Sequence, residues 1–302
     1  MSKKNKIIAG GIVLLALLAV VTNFFHHSDV QVLNPAGEIG EKERNLMYFA
    51  LGLSLVVVIP VFIMLFSFAY TYREGNKKAK YNPELSGSKL AEAIWWVVPT
   101  VLITILAVVA WRSSYSLDPY KELSSNVKPI RIQVVSLDWK WLFIYPDQKI
   151  ATVNYFEIPQ NTPVDFELTS DSVMNSFWIP RLGGQIYCMP GMTSHLHLVA
   201  EKTGEFKGSS ANISGAGFSD MFFTAKSTTQ GEFTDWMAGV KKTRSKLDDG
   251  LYAELAKPSR NTPKSEYGSV QEGLFSTIVG KYVVPINEQG AGYIIPMQGG
   301  SH

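Results

Sequence analysis

Ser209-Ser210-Ala211-Asn212-Ile213-Ser214-Gly215-Ala216-Gly217-Phe218-Ser219-Asp220-Met221 is the stretch on which the reading of this chain turns. It is built from hydroxyls, an amide, glycines and one phenyl ring, and it ends on a thioether. Serine oxygens are hard donors that stay protonated, and a phenyl ring offers no lone pair. Only Met221 carries a soft donor of the kind that suits copper. Strand-like runs flank the stretch, with candidates at 209–214 and 221–225.

Working outward, further strand candidates fall at 152–158, 164–168, 176–179 and 194–199. Pro, Gly and Asn/Asp clusters separate them, the spacing of an all-β sandwich or barrel. Trp139, Trp141, Phe143 and Tyr145 recur at every second position, which places all four on one face of a strand. From residue 227 onward the alternation stops. Trp236 and Val240, then Leu247, Leu251 and Leu255, then Val270, Leu274, Ile278 and Tyr282, keep helical spacing. The tail 227–302 is therefore expected to be helical and packed on the barrel or on a neighbouring subunit, with a mobile Gly-rich end from 287.

The first third of the chain is of another kind. Residues 1–25 begin with Lys3, Lys4 and Lys6 and continue as an apolar run, which reads as a signal sequence or an N-terminal membrane anchor. After a polar connector, 26–45, residues 46–72 carry no charge and make a helix of roughly 40 Å, enough to cross a hydrocarbon core of about 30 Å. Pro60 within it is tolerable in a membrane helix. A second uncharged run, 93–111, spans roughly 28 Å. Between them the loop 73–92 holds Arg73, Lys77, Lys78, Lys80 and Lys89. Basic loops stay in the cytoplasm, so the linker 112–127 and everything after it are expected outside.

Composition excludes several classes. A net charge of +2 without a basic cluster gives no footprint for nucleic acid. The single cysteine, Cys188, rules out an internal disulfide and any multi-cysteine metal site, and reads as a buried, inert thiol. His195 and His197 lie two apart on one face of a strand, a spacing that needs a third ligand before it can hold a metal. They read as surface or hydrogen-bonded histidines. No nucleophile–His–acid set or phosphate loop is present.

With these residues in hand, the chain resembles subunit II of the haem–copper oxidases. In copper-bearing members the loop runs C-x-E-x-C-G-x-x-H-x-x-M. With Gly215 and Met221 in register, the cysteines fall on Ser210 and Ser214, the glutamate on Asn212 and the histidine on Phe218. A second histidine of the family, in an H-S-x-x-x-P context, falls on Asn175 of Asn175-Ser176-Phe177-Trp178-Ile179-Pro180. Glu92-Ala93-Ile94-Trp95-Trp96-Val97-Val98-Pro99 matches the family's E-x-x-W-x-x-P at the start of the second membrane helix. The Pro190-Gly191 turn also recurs in order. Copper positions that are lost while the frame is kept resemble the quinol-oxidase branch of cytochrome bo type.

The resemblance implies a cupredoxin-like Greek-key barrel over 128–226. It implies a proton-pumping quinol oxidase of the bacterial inner membrane, with haems, copper and ubiquinol carried by subunit I. This chain would bind no cofactor, contact subunit I and subunits III and IV, and take no electrons from cytochrome c. Glu92 would be a proton-uptake carboxylate, although the helix dipole alone also favours a glutamate in a first turn. Trp139 and Trp141 resemble the family's aromatic segment and, without copper behind them, read as core or interface packing. The alternatives are a cytochrome c oxidase subunit II, which the ligand positions oppose, and a membrane-tethered β-domain scaffold.

Overall fold

The computed structural model describes residue 23 and residues 30–76 and 87–283. The reading of 1–25 as signal or anchor, apart from Asn23, and that of the Gly-rich end lie outside the described residues. The described residues form two compact bodies, one within 42–123 and the other within 30–41 and 124–283.

The first body holds the long helices. Helix α1, Glu38–Thr71, has 34 residues, and α2, Lys89–Ser116, has 28. At 1.5 Å per residue α1 is about 51 Å long, so it starts well before the uncharged run. Its first turns carry Glu38 and Glu41, acids that suit a helix N-terminus. Ser88 caps α2, its Oγ accepting from the Ala91 N–H at 3.3 Å. Both helices are long and apolar enough to span a membrane, and their side chains are exposed in the isolated chain.

The second body is a two-sheet sandwich. Its strands are β1 (Ile130–Leu137), β2 (Lys140–Tyr145), β3 (Ile150–Val153), β4 (Tyr155–Pro159), β5 (Pro163–Ser170), β6 (Asn175–Trp178), β7 (Ile186–Cys188), β8 (Ser194–Val199), β9 (Gly204–Ser210) and β10 (Phe222–Thr228). One sheet runs β12-β3-β2-β1-β5-β8, where β12 is Ser265–Tyr267 from the tail, and the other runs β4-β10-β9-β6-β7. β1 pairs parallel with β5, and β4 with β10, so neither sheet is a simple meander. Trp141, Phe143, Phe156, Phe166, Phe177, Phe206 and Phe223 fill the space between the sheets. Phe177 and Phe223 stack at 4.9 Å, and Trp141 meets both edge-on.

Every residue of β2 is buried. Trp141, Phe143 and Tyr145 point inward, while Leu142 and Ile144 point to the outer face, which the tail covers. The tail consists of α3 (Gln230–Lys241), β11 (Lys246–Leu247), α4 (Asp249–Leu255), β12, β13 (Ser269–Val270) and α5 (Leu274–Gly280). Leu247, Tyr252, Tyr267, Leu274, Phe275 and Ile278 form a second core against Val135, Leu137, Leu142, Ile144 and Val153. The tail thus packs on its own barrel. Thr229 and Glu232 close a capping box at the start of α3, and Asp248 caps α4.

The segment before α1 is tied to the same body. The Ala36 N–H donates to the Arg181 carbonyl at 2.7 Å and the Glu201 N–H to the Ala36 carbonyl at 2.8 Å.

Several sequence expectations need correction. Trp139 is not on the aromatic face of β2: it occupies the two-residue turn before it, at φ 62°. The run 152–158 is two strands, broken where Asn154 turns to φ 58°. The strand expected at 209–214 ends at Ser210, because the chain leaves the sheet to form a loop. β7 and the three short tail strands had no legible alternation.

Candidate functional site

The loop 211–221 leaves the second sheet at the end of β9 and returns to it at β10. Strand pairing holds both ends: Ser209 faces Phe222, and Ser210 faces Phe177 of β6. Because β6 begins at Asn175, this register sets Asn175 beside Ser210. Ser210 Oγ donates to Asn175 Oδ1 at 2.9 Å, and Asn175 Nδ2 donates to the Val173 carbonyl at 3.1 Å. Asn212 Nδ2 reaches the Met174 carbonyl at 3.0 Å, and its own N–H points to Ser210 Oγ at 3.4 Å. Ser214 Oγ lies 4.0 Å from the sulfur of Met221, which is fully buried.

Phe218 starts a single 3-10 turn, Phe218–Asp220, and is half-buried. The loop therefore brings Asn175, Ser210 and Asn212 into one hydrogen-bonded group and Ser214 against Met221. These donors do not fit copper. They are neutral oxygens and amides already engaged with one another, with one thioether at hand.

Trp139 closes the loop from outside. Its Nε1 donates to the Ser214 carbonyl at 3.2 Å, and its ring lies over Gly215 and Gly217. The Arg260 guanidinium of the tail sits 5.8 Å from the ring centroid. Trp141, by contrast, is core. Sequence reasoning did not single out the neighbour of both, Lys140, which is 1% exposed. Its Nζ donates to the Lys257 carbonyl at 2.6 Å and to Ser259 Oγ at 2.5 Å. Burial lowers its pKa, and the Asp138 carboxylate opposes this. The only clue in the sequence was a lysine inside an otherwise apolar run.

A second unread group surrounds Asp171 at the end of β5. Its carboxylate accepts from Tyr252 Oη, from Tyr282 Oη at 2.7 Å and from Lys281 Nζ at 2.7 Å. Burial, then the Asp171 carboxylate, push both tyrosine pKa values well up. These partners lie 81 to 111 residues from Asp171, a separation no local pattern reveals.

Glu92 stands exposed in the first turn of α2, its N–H donating to the Ser88 carbonyl at 2.9 Å. His195 and His197 each place Nδ1 at 3.6 Å from Asp165 Oδ1. Among the described residues no three His, Cys, Asp or Glu side chains form a group that could hold a metal. Cys188 is buried, and burial pushes its thiol pKa far up.

Comparison with known proteins agrees with this architecture. Residues 109–228 match the family described as cytochrome c oxidase subunit II, periplasmic domain, and residues 241–285 match the COX aromatic rich motif. Among curated proteins, the cytochrome bo(3) ubiquinol oxidase subunit 2 of Pseudomonas aeruginosa is 51% identical over 88% of this chain and 80% of its own length. That of Pseudomonas putida is 53% identical over 83% and 80%. The ubiquinol oxidase subunit 2 of Acetobacter aceti is 46% identical over 92% and 91%. The sandwich is thus of the cupredoxin-like type, preceded by two membrane-capable helices.

Proposed function

The chain belongs to the family of ubiquinol oxidase subunit 2, and from that premise we propose how it serves a quinol-oxidising, oxygen-reducing membrane complex. It is a subunit of an oxidoreductase and performs no electron transfer through its own β-domain. One observation carries this reading: Asn175, Ser210 and Asn212 are hydrogen-bonded to one another, and Ser214 faces Met221, where copper-bearing relatives of the fold have metal ligands. Electrons from quinol then reach the oxygen-reducing centre through the partner subunit that carries haem and copper, and the β-domain caps that subunit.

The two long helices anchor the chain in the bacterial inner membrane. The basic residues between them favour a cytoplasmic loop and a periplasmic β-domain. Partner subunits I, III and IV complete the complex in this reading. Glu92 lies one turn into α2, at the end expected to face the cytoplasm. A carboxylate at that level can collect a proton and pass it inward, which supports proton uptake at Glu92. Of the chain's own residues, then, Glu92 moves protons, and the Asn175–Ser210 pair and Trp139 keep the loop ordered without metal.

The purified complex tests the reading. Oxygen uptake is expected with quinol and not with reduced cytochrome c, and Glu92→Gln is expected to slow turnover while assembly is kept. Uptake driven by cytochrome c, or stoichiometric copper in the β-domain, would overturn the electron route. Unchanged turnover and proton stoichiometry in Glu92→Gln would remove the proton role. A chain that purifies without a haem-bearing partner would favour the scaffold alternative.

A further inference from the structure

A recess of about 420 Å³ opens between α1 and α2, a volume within the range of small-molecule sites. Val56, Val57 and Pro60 stand on one wall, and Trp95, Val98 and Pro99 on the other. Val57, Val98 and Trp95 are 41%, 44% and 57% exposed, so these walls are open surface in this chain and not core.

Each helix has a proline on this wall, Pro60 in α1 and Pro99 in α2. A proline has no N–H, so the carbonyl four residues earlier loses its helical donor. Those carbonyls belong to Val56 and Trp95, and both residues line the same recess. A helix carbonyl points toward the C-terminus of its helix. With α1 and α2 antiparallel, as in a hairpin through a membrane, the Val56 carbonyl points toward Pro60 and the Trp95 carbonyl toward Pro99. The two gaps thus open at one level of the recess. Nearby hydroxyls are spent elsewhere: Ser54 Oγ donates to the Ala50 carbonyl at 2.9 Å, and Thr100 Oγ1 to the Trp96 carbonyl at 2.7 Å. Among the described residues no side chain donates to the carbonyl of Val56 or Trp95. In lipid no water is at hand for such a group, so it stays costly until a donor arrives.

The occupant must be apolar over most of its surface and bring its own donors. An acyl chain has none, and a neighbouring helix has spent its main-chain donors internally. A hydroquinone ring is flat and has two hydroxyls, whereas its oxidised form has two carbonyls and no donor. We infer that the recess between α1 and α2 holds a quinol in its reduced form, its hydroxyls donating to the carbonyls of Val56 and Trp95. This rests on the reading of the chain as a quinol-oxidase subunit, which puts α1 and α2 in a membrane that contains quinol. It is a holding site, and no step of the oxidation is assigned to it.

The test uses the intact complex in detergent, without oxygen so that quinol is not consumed. Decylubiquinol, decylubiquinone and the dimethyl ether of decylubiquinol are the probes, and native mass spectrometry across a titration counts those bound. Pro60→Ala/Pro99→Ala returns an N–H to each carbonyl, and binding at this site is expected to weaken at least about tenfold. Alanine is the better helix former, so the variant folds. Ala91→Phe fills the recess while leaving both carbonyls open, and is expected to remove the same quinol. Decylubiquinone and the ether are expected to bind at least about tenfold more weakly than decylubiquinol. Equal binding of all three probes would make the recess an unselective apolar slot and overturn the site. Equal quinol counts in the wild type and both variants would put all bound quinol on the partner subunit, or a partner helix in the recess, and overturn it too. Quinol-driven oxygen uptake, measured with oxygen restored, separates the two claims. Uptake without a quinol in the recess removes this site alone, and no uptake by the wild-type complex removes the quinol-oxidase reading.

Discussion

Gly217→Ala tests what now holds the loop. Gly217 sits at φ −100°, ψ 6°, where alanine is allowed, so the backbone is no obstacle. The obstacle is Trp139: a methyl at 217 would lie 2.4 Å from its Cγ and Cδ2, where carbon pairs prefer about 3.5–4.0 Å. The indole cannot yield freely, because its Nε1 is bonded to the Ser214 carbonyl and Arg260 lies over the ring. Overpacking costs about 1–3 kcal/mol, and releasing the indole forfeits a hydrogen bond worth about 1 kcal/mol. The sum, about 2–4 kcal/mol, raises loop opening by about 30-fold to 700-fold. Amide hydrogen exchange over residues 211–220 in the full-length protein reads this directly. In a Trp139→Ala background the same substitution should cost less than about 0.5 kcal/mol, since the clash is gone. Gly215→Ala is the control: at φ +109° its cost is backbone strain, and its Cβ would stand 3.5 Å from Trp139, an ordinary contact. That cost should survive Trp139→Ala. If Gly217→Ala and Trp139→Ala simply add, or if Gly215→Ala is the variant rescued, Trp139 is not the strut.

Three further outcomes are expected. Lys140→Met strands the Lys257 carbonyl and takes from Ser259 Oγ one of its two partners, a loss of about 1–3 kcal/mol, so limited trypsin should cut after Arg260 about tenfold faster or more; unchanged cleavage would show that the tail is held elsewhere. Cys188, buried with its pKa raised by burial, should resist alkylation until the β-domain unfolds, and fast labelling of native protein would contradict its place in the core. Tyr252 and Tyr282 have folded-state pKa values raised above the unfolded value of about 10, so their stabilisation is complete below about pH 10 and is lost as pH rises through the folded values. Tyrosinate absorbance from these two should appear only together with alkaline unfolding, and its appearance in native protein near pH 10 would break the argument.

The parts of the fold that repeat with a fixed period were readable from residues alone. β8, Ser194–Val199, alternates buried and half-buried along its whole length, and the sequence places it on the same six residues. The membrane-capable helices followed from charge-free runs. What escaped the pattern was decided by tertiary contact. The alternation in β2 does put Trp141, Phe143 and Tyr145 on one inward face, but Trp139 looked like the first of that series and proved to be in the turn, and the burial of Leu142 and Ile144 on the other face comes from the tail. The tail mixes helix spacing with two- and three-residue strands too short to show a period, and Val270 and Leu247 of the expected helical stripes lie in those strands. At the candidate site, Ser210, Ser214 and Asn175 were legible only through the resemblance to the subunit II loop, since two serines and an asparagine carry no signal of their own. Lys140 and Asp171 were not, because their partners lie in the distant tail.

The hairpin turn of β1 and β2 therefore has more to do than reverse the chain. Trp139 braces the loop through Ser214, Gly215 and Gly217, and the next residue, Lys140, anchors the tail through Lys257 and Ser259. One strand further on, Asn154 binds the Trp141 N–H through Oδ1 and the Thr262 carbonyl through Nδ2, at 2.9 and 2.7 Å. The tail segment 257–262 is thus fastened at both ends to residues that also set the position of Trp139, and its Arg260 lies over that ring. Loop order and tail docking share one support. A copper centre would hold such a loop by its ligands, independently of what lies outside. Here order comes from packing and from hydrogen bonds worth about 1 kcal/mol each, so it needs several of them acting together. Loosening the tail at Lys140 should on this ground raise hydrogen exchange in residues 211–220 as well, although no atom of that loop is changed.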